Sequence, residues 1–209
     1  MGETNKKEAV AALHRAQIMT AAEKLFSEKG YEQTTIEDIS KKSEYSRRTI
    51  YAYYESKDDI LHCIIEKGLQ ALKTDIENAV NDNAGFTDAY RAVCRAMRKY
   101  RREYPYSLER LNRSGDEEIG RTVKSAAVKN ILRLGTEINE TLEALIIRGQ
   151  ENGEVRKDIV PTLTVYVLWS SIDSLLALAG TKGKFICAQN GMTEEKFLDY
   201  GFRQIVNSI

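Results

Sequence analysis

Two neighbouring arginines, Arg47 and Arg48, precede Thr49 at the start of a short predicted helix. A guanidinium group can donate two hydrogen bonds to O6 and N7 of guanine in the major groove, and a threonine can contact a thymine methyl group or a phosphate. Hydroxyl, phenol and ammonium groups nearby, together with free N–H groups at helix starts, suit phosphate oxygens. These further candidates are Thr35, Ser46, Tyr51, Tyr53 and Lys57. The segment from Ser46 to Ala52 therefore predicts a helix that reads double-stranded DNA.

The same residues also have structural interpretations. Arg47 and Arg48 could form a solvated helix face, because paired charges are common on helices. Tyr54 is expected in the core, unlike the two tyrosines before it, which are expected to face the DNA backbone. The helix dipole does not stabilise a cation at a helix N-terminus. A phosphate partner would explain why Lys57 stands there.

Signatures of catalysis and of metal binding are missing from the sequence. His14 and His62 are isolated, and neither a Ser-His-Asp signature nor a Gly-rich phosphate loop occurs. The three cysteines are far apart and odd in number, which favours a reducing compartment and argues against a disulfide or zinc site. We therefore expect no enzymatic activity, no cofactor and no metal.

Composition is that of a globular protein. The 209 residues are 42% hydrophobic and 30% charged, with 31 basic against 31 acidic side chains, so a DNA-binding surface must be a local patch. No continuous apolar run of about 18 residues occurs. The charged start MGETNKKEAV also lacks the hydrophobic stretch of a signal peptide. We expect a cytoplasmic protein without a membrane span.

Hydrophobic periodicity predicts an all-α chain whose first four helices have the outline of a helix-turn-helix unit. The boundary signals are, in chain order, Gly30 after the first helix, a capping box of Thr34 with Glu37 or Thr35 with Asp38, Ser46 before the third helix and Ser56 before the fourth.

Longer helices are expected beyond residue 84. The first carries an apolar stripe that stops at Pro105 and consists of Phe86, Tyr90, Val93, Met97, Tyr100 and Tyr104. The others are expected from about 117 to 150, from an Asp158 cap through Ala179 with Pro161 in the first turn, and, after a loop from Thr181 to Met192, from a Thr193 cap onward. The helix before that loop is apolar almost all round, which predicts burial against its own domain and a second subunit.

A multi-part pattern surrounds the predicted reading helix. Its matching residues are Arg15, Ile18-Met19, Ala21-Ala22, Leu25-Phe26, Gly30-Tyr31, Thr34-Thr35, Ile39, Thr49-Ile50-Tyr51, Tyr53-Tyr54, Ser56-Lys57 and Ile60-Leu61. In order and spacing, this pattern resembles the DNA-binding domain of the TetR family of transcriptional regulators. Residues 148–158 resemble the family's approach to its dimer helix.

The resemblance implies an all-α homodimer with two domains. Residues 1–56 would form a three-helix, helix-turn-helix DNA-binding domain, and residues 57–209 a larger helical effector-binding and dimerisation domain. The last two helices would pair with those of a second copy. The implied partners are a pseudo-palindromic DNA operator and a small-molecule effector.

One departure from the family pattern lies in the turn before the reading helix. The family usually has a small residue followed by glycine, whereas this chain has Ser43-Glu44-Tyr45. A positive φ at Glu44 would cost about 1 kcal/mol relative to glycine. Tyr45 either packs between helices or places its phenol on a phosphate.

The candidate effector residues are Met97, Tyr100, Tyr166, Trp169 and Asp173. Core packing is the competing interpretation for the aromatic residues. Asp173 is an acid in an apolar helix and needs a partner. That partner could be a residue across a dimer, an arginine, or the polar end of an effector.

A basic run falls mostly opposite the apolar stripe; it consists of Arg91, Arg95, Arg98, Lys99, Arg101, Arg102, Arg110 and Arg113. It is either a solvated face or an anion site, for an acidic effector or for phosphates of neighbouring DNA. The whole pattern predicts an operator-binding repressor released by a small molecule. The alternative is a DNA-bound adaptor that recruits a protein without an effector.

Overall fold

In the computed structural model, residues 2–105 and 125–209 are described, and all of their regular secondary structure is helical. The described helices are α1 (Gly2–Lys29), α2 (Ile36–Ser43), α3 (Arg47–Tyr53), α4 (Lys57–Asn81), α5 (Phe86–Glu103), α6 (Ala126–Glu151), α7 (Pro161–Gln189) and α8 (Glu194–Val206). The prediction of an all-α fold with an N-terminal helix-turn-helix is confirmed. The expected helix start near residue 117 lies outside the described residues.

The chain divides into two compact units. Among the described residues, one unit comprises 2–69, 104–105 and 125–132, and the other comprises Gln70–Glu103 and Arg133–Ile209. The predicted domain boundary after residue 56 remains a prediction.

Helices α1, α2 and α3 pack together in the first unit around fully buried isoleucines, among them Ile18, Ile39 and Ile50. Tyr54 is also in this core, at 5% exposure, and its hydroxyl donates to the Arg15 carbonyl oxygen over 2.9 Å. A buried phenol needs such a partner. The expected core position of Tyr54 is confirmed.

The helix boundaries of the first unit follow from local caps. Gly30 ends α1 with a φ of 85°, a conformation that glycine adopts without a Cβ penalty. The capping box of α2 is formed by Thr35 with Asp38, which settles the choice between the two predicted pairs. Ser46 and Ser56 accept backbone N–H groups at the starts of α3 and α4, as predicted.

The second unit is built on α5, which packs against α7 and α8. The apolar stripe of α5 is buried from Phe86 through Tyr100, and the helix ends at Glu103, before Pro105. Helix α8 approaches α7 closely at Gly201, where a Cβ would collide with the Leu175 side chain.

Two predicted boundaries in the second unit are wrong. Asp158 does not cap α7; Val160 is its N-cap without a side-chain bond, Pro161 follows at the first turn, and Asp158 instead pairs with Arg156 over 3.0 Å. The predicted loop from Thr181 is helical as far as Gln189. Gly183 and Cys187 are buried along this extension, so tertiary packing outweighs the low helix propensity of glycine.

The segment that precedes α7 ties other helices together. The Arg148 guanidinium donates to the Val80 carbonyl oxygen at the end of α4, and the Glu154 carboxylate accepts the Phe86 N–H at the start of α5 over 2.9 Å. Gly149 lets Val155 and Phe86 approach, because a Cβ there would lie 2.5 Å from Val155 Cγ2. The 148–158 motif therefore has a structural role in capping α4 and α5.

Helix α7 keeps a large part of its apolar surface exposed. Leu163, Tyr166, Val167 and Phe185 are each more than half exposed. By length and composition alone this helix could cross a membrane, with a third of its most apolar window buried, but the core helix of a soluble protein passes the same test.

Candidate nucleic-acid interface

A tight turn joins α2 to α3. Glu44, the C-cap residue of α2, has φ 62° and ψ 16° there. The positive φ considered from the sequence is therefore present, in a residue that carries a Cβ. Ser40 Oγ donates to the Tyr45 carbonyl oxygen over 2.7 Å, and this bond holds the turn. The helix-turn-helix geometry is kept although glycine is absent.

Tyr45 packs against α1, which resolves the two alternatives for this residue. Its hydroxyl donates to the Gln17 side-chain oxygen, and its ring lies 5.0 Å from the His14 ring, between centroids. The phenol is therefore engaged by α1.

The N-terminal turn of α3 presents its two arginines to solvent. The Arg47 side chain is 67% exposed and its Nε lies 3.4 Å from a Glu37 carboxylate oxygen. Such an exposed pair contributes about 0–1 kcal/mol and is readily exchanged for a nucleic acid contact. Arg48 is exposed and has no ion pair within the described part of the chain.

Ser46 and Thr49 are engaged in capping the same helix. Ser46 Oγ accepts the Thr49 N–H over 3.1 Å and hydrogen-bonds to Thr49 Oγ1 over 2.8 Å. Both hydroxyl groups retain acceptor capacity. Their candidate DNA contacts remain predictions.

The two tyrosines of α3 differ in their surroundings. Tyr51 is 55% exposed, as a phosphate contact requires. Tyr53 is half-buried, and its hydroxyl is hydrogen-bonded to His14 Nδ1 over 2.9 Å. The sequence did not indicate this role of His14, because 39 residues separate the two partners.

Lys57 has partners within its own unit. Its ammonium group donates to the carbonyl oxygens of Tyr31 and Thr34, each over 2.9 Å, and lies 4.0 Å from the centre of the Tyr31 ring. The loop between α1 and α2 therefore accounts for this lysine without a phosphate. A third N–H remains on the ammonium group for a DNA contact.

Thr35 and Asp38 form the charged N-terminus of α2. The Lys29 ammonium, 2.7 Å from the carboxylate, holds the pKa of Asp38 well below its ordinary value, and hydrogen bonds from the Thr35 hydroxyl and N–H lower it further. The Asp38 carboxylate already accepts the Thr35 N–H and hydroxyl. A phosphate at this helix start would have to replace it as their acceptor.

The five candidate effector residues do not form one site. Met97 and Trp169 line a cavity of about 20 Å³ between α5, α6 and α7, which is about the space of one water molecule. Tyr100 is buried but does not line that cavity, and Tyr166 is 57% exposed. Asp173 is paired with Arg101 of its own chain, one of the three partners considered from the sequence.

The basic run is in part neutralised and in part open. Arg98 pairs with Glu194 over 3.0 Å, and Lys99 with Asp75 over 2.7 Å. Arg95 is exposed and has no ion pair or hydrogen bond within residues 2–105 and 125–209. Arg110 and Arg113 lie outside the described residues.

Comparisons with known proteins agree with this geometry. Residues 18–64 match the family model described as bacterial regulatory proteins, tetR family. The HTH-type transcriptional regulator HbdR of Aromatoleum sp. (strain CIB) is 37% identical over 86 residues, which are 41% of this chain and 36% of HbdR. The match thus spans about a third of that relative.

Solved structures match over nearly the whole chain at lower identity. PfmR, a TetR family transcriptional regulator from Thermus thermophilus, aligns with a TM-score of 0.66 and 23% identity, over 91% of this chain and 97% of PfmR. FadR from Bacillus subtilis, solved in complex with stearoyl-CoA, aligns with a TM-score of 0.68 and 18% identity, over 93% and 98% of the two chains. Residues 18–64 thus resemble the DNA-binding region of the tetR family of bacterial regulatory proteins, and the chain shares the fold of these solved proteins.

Proposed function

We propose that this chain is a cytoplasmic, homodimeric repressor that is released from a pseudo-palindromic operator by a small-molecule effector. The observation that carries the proposal is the exposed N-terminal turn of α3, where Arg47 and Arg48 extend from a helix-turn-helix. Each arginine can bond a guanine bidentately, and Tyr51 and Lys57 can contact the backbone.

The two proposed functions belong to two consecutive domains of the chain. Residues 1–56 form the DNA-binding domain and residues 57–209 the effector-binding and dimerisation domain. A local arginine pair is sufficient for a chain of zero net charge, because the affinity arises from a few contacts on each half-site.

The exposed apolar face of α7 supports dimerisation through α7 and α8. Leu163 and Val167 are each about 60% exposed, at 62% and 61%. Solvent exposure of such side chains is unfavourable, and a second copy would cover them. A dimer would place its two α3 helices in successive major grooves, about 34–36 Å apart.

Effector release requires a conformation in which the two reading helices no longer fit both grooves. By linkage, the effector weakens operator binding by the factor with which the operator weakens effector binding. FadR from Bacillus subtilis, which shares this fold, was solved in complex with the small molecule stearoyl-CoA.

The small size of the apolar cavity favours a second candidate function. A cavity of about 20 Å³ admits no effector without rearrangement, and the exposed face of α7 could recruit another protein. The chain would then be a DNA-bound adaptor without an effector.

Selection of bound duplexes from a random DNA pool tests the proposal. We expect enrichment of two inverted half-sites, and sedimentation of the complex should give two protomers for each duplex. Release of the selected duplex by a small molecule alone supports the repressor, whereas a ternary complex of chain, duplex and partner protein that no small molecule releases supports the adaptor. Enrichment of a single half-site bound by one protomer would contradict the proposal.

A further inference from the structure

A basic groove of about 740 Å³ lies between α5 and α8 in the second unit, apart from the apolar cavity. Volumes between about 300 and 1,000 Å³ are typical of small-molecule sites. The groove therefore has room for a ligand of nucleotide size without any rearrangement of the protein.

The walls of this groove carry an excess of positive charge. Its cations are Arg91, Arg95 and Arg98 of α5 and Lys196 and Arg203 of α8, whereas its carboxylates are Glu195 and Asp199. Five positive against two negative lining side chains leave an excess of three, which Asp88 and Glu194, beside Arg91 and Arg98, reduce to one. Such an excess in a concave site concentrates anions.

The arginines of α5 stand in a row. Residues at positions i, i+4 and i+7 share one helix face, so Arg91, Arg95 and Arg98 follow the groove over about 10 Å of helix axis. This length suits several linked phosphoryl groups better than a single phosphate. The planar fork of arginine also bonds phosphate oxygens in pairs.

The row is only partly neutralised by the protein itself. Arg91 lies 3.6 Å from Asp88, and Arg98 lies 3.0 Å from Glu194, both as exposed pairs of small stability. Arg95, in the middle, has neither an ion pair nor a hydrogen bond within the described residues. Of the three α5 arginines, it is the one that a ligand could bind without breaking a described contact.

The floor of the groove is apolar and contains one buried hydroxyl. Leu198 and Phe202 form part of the floor beside Tyr90, whose hydroxyl is buried without an oxygen or nitrogen partner among the described residues. Burial raises the pKa of Tyr90, and the nearby Cys94 thiol adds to the shift. The hydroxyl interacts with the Cys94 thiol and is inaccessible from the groove, so Tyr90 contributes its ring, and not its hydroxyl, to the floor.

We propose that the α5–α8 groove binds an organic di- or triphosphate, with the phosphates on Arg91, Arg95 and Arg98 and the organic part over Tyr90 and Phe202. Tyr90 also lines the small apolar cavity, so a bound ligand would contact the wall that separates the groove from the core. This inference rests on the proposed function, because it names the chemical class of the effector.

Calorimetric titration with inorganic tripolyphosphate at low salt tests the site without any operator DNA. We expect saturable binding that weakens as salt is added. The Arg95→Gln variant should lose about tenfold in affinity, the effect of one charge-assisted contact. The control is Lys157→Gln, which removes the same charge from an exposed residue outside the groove and should bind within about twofold of wild type.

Absence of saturable binding, or equal weakening by both variants, would overturn the proposal. It would also be overturned if Arg95→Gln weakened binding of a non-specific DNA duplex and left tripolyphosphate binding unchanged, since the groove would then contact DNA. Operator binding of the same variants, measured separately, shows whether a failure belongs to the groove or to the proposed regulator.

Discussion

At the scale of single residues, Lys57 links the start of α4 to the loop between α1 and α2. Its ammonium group bonds the Tyr31 and Thr34 carbonyl oxygens. We expect Lys57→Ala to lower the free energy of unfolding by about 1 kcal/mol, since charge-assisted bonds of a half-exposed group are lost. Chemical denaturation measures this change, with Lys129→Ala, an exposed lysine of α6, as the control.

The same variant tests the proposed phosphate contact. We expect Lys57→Ala to weaken all DNA sequences alike and to reduce the slope of log affinity against log salt by about one. A slope equal to that of wild type would mean that Lys57 contacts no phosphate and bonds only the carbonyl oxygens of the α1–α2 loop.

Asp38 should make the stability of the first unit depend on acid pH. Its pKa in the folded chain lies below the unfolded value of about 3.9. Its stabilising contribution is therefore present above that value and is lost as the pH falls from about 4 toward the folded pKa. In denaturation at pH 7 and pH 2, Asp38→Asn should cost stability at pH 7 and less at pH 2. An equal cost at both pH values would contradict this.

At the scale of elements, the turn between α2 and α3 holds Glu44 in the left-handed region. Glu44→Gly should therefore raise the free energy of unfolding by about 1 kcal/mol, because glycine has no Cβ penalty there. Glu44→Ala is the control: it removes the carboxylate but keeps the Cβ, so it should give no such gain. Equal effects of the two substitutions would show that the charge, and not φ, matters.

Helix α6 offers a matched pair of glycines. A Cβ at Gly149 would lie 2.5 Å from Val155 Cγ2 and 3.0 Å from Phe86 Cδ2, whereas a Cβ at Gly135 meets nothing within 4 Å. We expect Gly149→Ala to destabilise by about 1–3 kcal/mol through overpacking. Gly135→Ala should instead stabilise by up to about 1 kcal/mol through helix propensity. Thermal unfolding compares the two, and a stabilised Gly149→Ala would contradict the close approach.

Helix boundaries that depend on neighbouring residues can be predicted from the sequence, whereas those that depend on tertiary packing cannot. The caps at Thr35 and Ser46 and the end of α5 before Pro105 depend on neighbouring residues, so the sequence predicted them. The extension of α7 to Gln189 depends on the burial of Gly183 and Cys187 against other helices. Local propensity indicated a loop there because glycine and polar residues dominate the segment.

The candidate site was predictable to the same extent. The sequence located α3 and its arginines, because a motif of local spacing encodes them. It did not reveal that His14 and Gln17 hold Tyr53 and Tyr45, since these contacts join distant parts of the chain. It also could not distinguish a packed stripe from a cavity, because periodicity identifies buried faces and not voids.

At the scale of the whole molecule, the exposed face of α7 makes the oligomeric state the property to test. We expect Val167→Glu, at a position 61% exposed, to give a monomer in sedimentation velocity. Its operator affinity should fall steeply, because the two half-sites are then bound independently. Ala144→Glu, at an exposed position of α6, is the control and should remain dimeric. A dimeric Val167→Glu protein would place the interface elsewhere.

Sequence-specific reading by the arginines of α3 is the central claim, and a comparative selection measures it most directly. Wild type, an Arg47→Ala/Arg48→Ala variant and a Lys129→Ala/Lys157→Ala control would each select duplexes from one random pool. We predict that wild type and control enrich the same pseudo-palindrome. The arginine variant should lose base preference at the contacted positions, where each arginine contributes about 1–3 kcal/mol of discrimination between bases. Enrichment of an identical site by all three proteins would contradict the claim.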